Sequence, residues 1–349
     1  VSTEEHSTSG ILNPEGTPDE GVTWHYGDPF GEQRAAERGA AVIDRSHRRV
    51  ITLTGSERLS WLHSITSQHL THLPDRTATQ NLNLDGSGRV LDHFHLIDVD
   101  GTTYLDTEPA ALAPKEAPLS PDLATYLQRM VFRSDVQVQA HDDLAVLTVI
   151  GPEAESIAAR VEGVRRAEPG EVNLIVPRDR LRADIDALVA AGARPAGTWA
   201  YEARRVAAGR ARQGVDTDEK TIPHEVDWIR TAVHLDKGCY RGQETIARVQ
   251  NLGRPPRRLV LLHLDGSADA RPATGDPVTL DGRTVGRLGT VVEHADYGPI
   301  ALALIKRSIP DDAALDAGGA AAAIDTEVTP SAEAGQQAGR SAVDRLRGR

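Results

Sequence analysis

At Arg254-Pro255-Pro256 the texture of this chain changes. Downstream, Leu259 to Leu264, Pro277 to Leu280, Thr284 to Val292 and Ile300 to Ile305 are aliphatic and β-branched runs separated by turn residues such as Asp281-Gly282, with no helical period between them. Strands that follow one another without helices must bury their faces on each other, so a small β-barrel-like domain is expected from 256 to 309. Two adjacent prolines stiffen a connection, which places the boundary beside them.

Upstream of the prolines the pattern is mixed. Arg49 to Thr54 alternates with period two, and Val90 to Val99 and Thr102 to Leu105 are joined by Asp100-Gly101. These read as strands of an antiparallel meander, entered through the turn Asp85-Gly86-Ser87-Gly88. Thr54 and Glu57 have the spacing of a helix capping box, and Leu59, Leu62 and Ile65 mark the face that follows. Pro121 is placed to open a helix carrying Leu123, Tyr126, Leu127 and Met130 on one side. Strand Leu144 to Ile150, a strand near Leu174 to Val176 and helix Leu181 to Ala190 complete the series. Interleaved helices with frequent hairpins predict an α+β class with antiparallel sheets, over residues 23 to 255.

A length of 349 residues allows two or three domains. Residues 1 to 22 and 310 to 349 are rich in small, polar and acidic residues and are expected to be disordered tails. The first 21 residues lack the basic and apolar blocks of a signal peptide, and no apolar run has the length of a membrane span, so a cytoplasmic location is expected.

Net charge is 39 minus 51, or -12. Such a chain repels anionic membranes and makes nucleic acid an unlikely partner outside a local basic patch. Cys239 is its one cysteine. An internal disulfide, a cysteine-built zinc site and a cluster held by four thiolates of this chain are thereby excluded.

That cysteine lies in Lys237-Gly238-Cys239-Tyr240-Arg241-Gly242-Gln243-Glu244. Cationic neighbours and a helix start at Gly242 favour a functional thiol, the plainer alternative being a small buried hydrophobe in a tight turn. Ile246, Val249 and Leu252 then share a helical face that stops at Gly253, and Gln243 and Glu244 sit where side chains satisfy free backbone donors. Between Lys237 and Arg258 stand six cations and one anion, and Arg204, Arg205, Arg210 and Arg212 form a second basic cluster. Guanidinium forks suit carboxylates, an RNA backbone is the other anion they fit, and a solvated, internally paired face is the plain alternative. His93 and His95 share a strand face and His69 and His72 a helix face, without a third ligand at metal-site spacing.

Thr221-Ile222-Pro223-His224-Glu225, the octapeptide and Ile246-Ala247-Arg248 together resemble the YgfZ family of folate-binding iron-sulfur maintenance proteins, relatives of the glycine-cleavage T protein. The resemblance extends loosely from Trp24 to Ile309. It implies two α+β lobes around a folate channel with a small barrel behind, tetrahydrofolate or a derivative as cofactor, and iron-sulfur client or assembly proteins as partners, tRNA-modifying enzymes among the clients. It also implies a reactive set of Cys239, Lys237 and Asp92, and a folate-binding set of Tyr201, Arg205, Arg241, Tyr240 and Arg248. Tyr201 stands eight residues before Gly209, as the pocket aromatic does in YgfZ relatives. Gly88 to Asp92 resembles the T-protein stretch whose aspartate faces the reactive folate nitrogen. Ala207 stands where the family usually has glutamate, and Arg48 where some relatives have a second aromatic. The alternatives are a folate-dependent aminomethyl or methyl transferase using Asp92 and, from another class, an RNA-binding module.

Overall fold

The computed structural model describes residues 10–109, 122–267 and 269–329. They divide into two compact units, the first made of 10–63, 69–81, 92–109 and 122–204, the second of 64–68, 82–91, 205–267 and 269–329.

The first unit is organised around Leu144–Ile150, whose Leu-Ala-Val-Leu-Thr-Val-Ile run is buried along almost its whole length. A strand apolar on both faces must be covered on both. It is flanked by Glu171–Pro177 and Ala41–Asp44 in a sheet completed by Val164–Glu168 and Arg194–Ala196, the last pairing parallel to Ala41–Asp44 and the rest antiparallel. One face packs Val42, Leu147, Val149 and Leu174 against Ile157 and Leu188 of helices Ala154–Ala158 and Leu181–Ala190. On the other, Val146 and Ile175 meet Val50 of a second five-stranded sheet. That sheet runs Ala78–Leu84, Val90–Val99, Thr102–Thr107, Arg49–Thr54 and Gln137–His141, of which 82–84 and 90–91 count with the second unit.

The second unit holds a closed barrel in the order Arg257–Leu264, Gly298–Lys306, Arg283–His294, Pro277–Leu280, Leu315–Ala317 and Ala320–Ile324. Its first strand shows the period-two division. Val260, Leu262 and Leu264 fill the barrel interior, while Leu259 and Leu261 join Trp228, Tyr240 and Ile246 in an outer core. The expected hairpins form as two-residue left-handed turns, at Asp281 (φ 50°) and Gly282 (φ 72°) and at Asp100 (φ 50°) and Gly101 (φ 83°). Both match the twist of the strands they join.

Three expectations are corrected. The barrel does not end at 309, because Leu315–Ala317 and Ala320–Ile324 close it. The amino-terminal tail is ordered within 10–22, since Ile11–Leu12 pairs with Thr23–His25 and Val22 is buried. The prolines at 255 and 256 do not divide the units, for the helix Gln243–Leu252 before them belongs with the barrel after them. Locally, Glu57 accepts from the Asp135 amide at 2.6 Å, and the helix Arg58–Ile65 has no capping box with Thr54. Asp122 caps Leu123–Met130 by accepting from Thr125 N at 2.8 Å, and Pro121 lies outside the described residues.

Candidate functional site

The expected residues fall in both units, Tyr201 and Asp92 in the first and the rest in the second. In the first unit Tyr201 lies on helix Thr198–Ala207 and is buried among Ile43, Ile150 and Ala196. Arg45 stacks on it, its Cζ 3.9 Å from the ring centroid, an arrangement in which the ring quadrupole offsets the cost of burying a guanidinium. The Tyr201 hydroxyl is 3.5 Å from Glu171 Oε1. Glu171 also accepts from Asn173 Nδ2 at 3.0 Å, and Asn173 Oδ1 from Thr148 Oγ1 at 2.7 Å. Asp92 is buried, 8% exposed, near the start of Val90–Val99.

A second polar cluster in this unit centres on Asp106. Arg48 Nε donates to one carboxylate oxygen at 2.8 Å and Arg166 Nη2 to the other at 3.0 Å, with Glu108 on Arg48 and Glu168 on Arg166. Burial would raise the Asp106 carboxyl, but Arg166 and Arg48 hold it well below the usual carboxylate range. His95 Nδ1 is 2.9 Å from Arg166 Nη1, and His93 Nε2 is 3.1 Å from Gln80 Oε1. Burial, then the neighbouring Arg166, lowers His95; burial, then His95, lowers His93 further. Both imidazoles are therefore neutral at pH 7 and absorbed into the frame.

The octapeptide folds within the second unit as a loop pinned from inside. Lys237 is buried and donates through Nζ to the carbonyls of Thr66 and, at 3.1 Å, Gln68. Burial pushes its amine down to about 8. Its Nζ sits 5.0 Å from the Tyr240 ring centroid. Tyr240 is buried with Leu82, Leu84 and Val90, and burial pushes its phenol up to about 12. Gly242, at φ 83°, caps Gln243–Leu252 against the 85–88 turn. A Cβ there would lie 2.6 Å from Asp85 O and 2.8 Å from Gly88 Cα, so only glycine fits. Between these anchors Cys239 is exposed.

Several expected roles change. Lys237 holds carbonyls beneath the loop instead of presenting its charge beside the thiol. Tyr240 is a core anchor. Arg205 is buried and spent on Asp216 Oδ2 at 2.7 Å, Thr290 Oγ1 at 2.5 Å and the Arg210 carbonyl, so it is not a free clamp for a ligand carboxylate. Of the six cations between 237 and 258, Arg257 is bound by Asp218 and Glu225, and Arg258 by Asp311. The side chains of Arg241, Arg248 and Arg254 make no hydrogen bond or ion pair among the described residues. Arg45, Glu171, Asn173, Asp106 and Arg166 were not foreseen. Their one sequence signal is polar residues at alternate positions of apolar strands, as in Glu171-Val172-Asn173.

The crystal structure of glycine-cleavage aminomethyltransferase T from Bartonella henselae matches with a TM-score of 0.74 at 17% identity, covering 90% of this chain and 92% of that one. The protein thus has the T-protein fold, α+β lobes with a carboxy-terminal barrel. Residues 257–334 match the CAF17 C-terminal β-barrel domain. In sequence the chain is 28% identical to an aminomethyltransferase of Pseudomonas syringae pv. tomato, over 57% of this chain and 60% of that one. It is 23% identical to a putative chloroplast transferase of Arabidopsis thaliana, over 77% and 66%. The matched stretch spans less than two thirds of either relative. Residues 257–334 thus carry a barrel of the CAF17 type, and the chain is similar in sequence and in fold to aminomethyltransferases of the T-protein kind, which supports the resemblance to the YgfZ family.

Proposed function

We propose that this is a folate-binding protein that supports assembly or repair of iron-sulfur clusters in client enzymes, with Cys239 as its functional thiol. The observation that carries this reading is the exposed sole cysteine on a loop whose neighbours, Lys237 and Tyr240, are buried. One thiolate cannot hold a cluster, so the remaining ligands come from a partner. A lone thiol also calls for a reducing compartment, and the cytoplasm is the location we propose. Among the described residues no helix is long and apolar enough to cross a membrane.

The chemistry of the first unit's side chains fits a pterin. Asp92 and Tyr201 are buried there, a carboxylate of the kind that pairs with ring N–H groups and a ring of the kind that packs on a planar heterocycle. Because Arg45 covers one Tyr201 face, the ring meets a ligand already backed by a cation. Reduced folate, when bound, supplies a carrier for one-carbon units. Arg241 and Arg248 are available to an anionic group, a glutamyl carboxylate or a client surface.

An anaerobic calorimetric titration of tetrahydrofolate into wild type and Tyr201→Ala tests the ligand. Micromolar binding, weakened about tenfold by the substitution, is expected; no binding to wild type removes folate from the reading. Complementation of a deletion strain tests the thiol: Cys239→Ala is expected to leave cluster-dependent enzymes low, and full restoration removes Cys239 from the mechanism.

A second reading, aminomethyl or methyl transfer, is favoured by the burial of Asp92, which suits a general base or electrostatic partner. Turnover of an aminomethyl donor with tetrahydrofolate, abolished in Asp92→Asn, would establish it; absence of turnover in wild type ends it.

A further inference from the structure

Within the second unit a cavity of about 250 Å³ opens beside the barrel strand Arg257–Leu264, under the 3-10 turn Pro223–Glu225. Neither Cys239 nor any other octapeptide residue lines it. Val226, Leu259, Leu261 and Leu302 supply apolar walls, and His224, Arg258 and Arg307 supply polar groups.

The charges around it do not balance locally. Glu225 is taken by Arg257 at 2.8 Å, and Asp227 by Arg230, whose Nε donates at 2.7 Å. Arg258 is tied to Asp311 and to the Ile309 carbonyl at 3.0 Å. Arg307 is left with a buried Nε that has no hydrogen-bond partner. Burial, then the like charges of Arg258 and Arg254, pushes this guanidinium down. Both ring nitrogens of His224 are buried without a hydrogen bond of normal geometry, although Gln250 is near. A buried donor left unmade costs about 1–3 kcal/mol, so two such groups facing one cavity call for a common partner.

We propose that this cavity binds a small metabolite bearing one carboxylate or phosphate group, the anion on Arg307 and His224 and a short apolar body against Leu259, Leu261 and Leu302. Arg307 supplies the planar fork that carboxylate and phosphate oxygens match, and the neighbouring Arg258 adds to the positive field. The volume is below the range of about 300–1,000 Å³ common for drug-sized ligands, which suits a small head group with a short body.

The test uses the full chain and two probes, inorganic phosphate and isovalerate, followed by the NMR signals of the Arg307 Nε–H and the His224 ring. A saturable shift of both signals with at least one probe, at a dissociation constant below about 10 mM, is expected. Phosphate alone or isovalerate alone assigns the head group. Arg307→Gln should weaken binding about tenfold and Arg307→Lys, which keeps charge but not the fork, less. Arg230→Gln, at the rim and already paired, should leave it within about twofold. No saturable shift with either probe overturns the proposal, as does binding unchanged in Arg307→Gln.

Discussion

Arginine is used in opposite ways in the two units. Arg48 and Arg166 of the first are buried and clamp Asp106 from both sides, with Glu108 and Glu168 closing the cluster. Arg241 and Arg248 of the second stand on the octapeptide and its helix without partners among the described residues. A desolvated guanidinium survives only when paired, whereas an exposed one can remain unpaired at little cost. A count of positive charge therefore does not locate function. Availability is the better guide, and it separates the paired frame of this protein from the side chains left open to a ligand.

The largest effect should come from breaking the paired side. Asp106→Asn leaves two buried guanidiniums short of a charge and is expected to cost about 3–5 kcal/mol in urea denaturation; a loss under about 1 kcal/mol would mean the cluster is not a frame. Next, Gly242→Ala forces a Cβ into the Asp85 carbonyl and is expected to cost about 2 kcal/mol. The same variant should change the rate at which a thiol reagent labels Cys239 in native protein, and an unchanged rate would detach the thiol's display from this anchor.

The third prediction concerns pH. Burial holds His224 down to about 4 in the folded protein, against about 6.5 unfolded. Below about pH 6.5 the unfolded chain takes up the proton first, so His224's contribution to stability is complete above that value. It is lost progressively down to about pH 4, on the order of 3 kcal/mol in all. His224→Gln should flatten that limb in denaturation curves at stepped pH; an unchanged limb assigns it to other groups. The smallest effect sharpens the comparison from the free side. Arg241→Ala and Arg248→Ala should change stability by less than about 0.5 kcal/mol, while lowering complementation of cluster-dependent enzymes. A stability loss comparable to that of Asp106→Asn would erase the contrast.

Much of the fold was legible because its signals are local. Asp100-Gly101 and Asp281-Gly282 specify two-residue hairpins through their backbone preferences, and Leu144 to Ile150 is too apolar to leave either face in water. Ala320–Ile324 escaped because alternation requires contrast. Its burial alternates along the strand, but four of its five residues are alanine and look the same inside and out. The Thr54 and Glu57 spacing misled because Glu57 found a better donor in the Asp135 amide, distant in sequence.

For the site, the sequence by itself determined the octapeptide, its single thiol, the glycine before the helix and the family they resemble. These are matters of residue identity and spacing along the chain. Tertiary structure alone decided that Lys237 turns inward to the carbonyls of Thr66 and Gln68, that Arg45 covers Tyr201, and that Arg205 is spent on Asp216 while Arg248 is not. The reason is that a charge's role depends on which opposite charge comes within about 3 Å and whether water is excluded there. Both are set by residues far apart in sequence, which only the folded chain brings together.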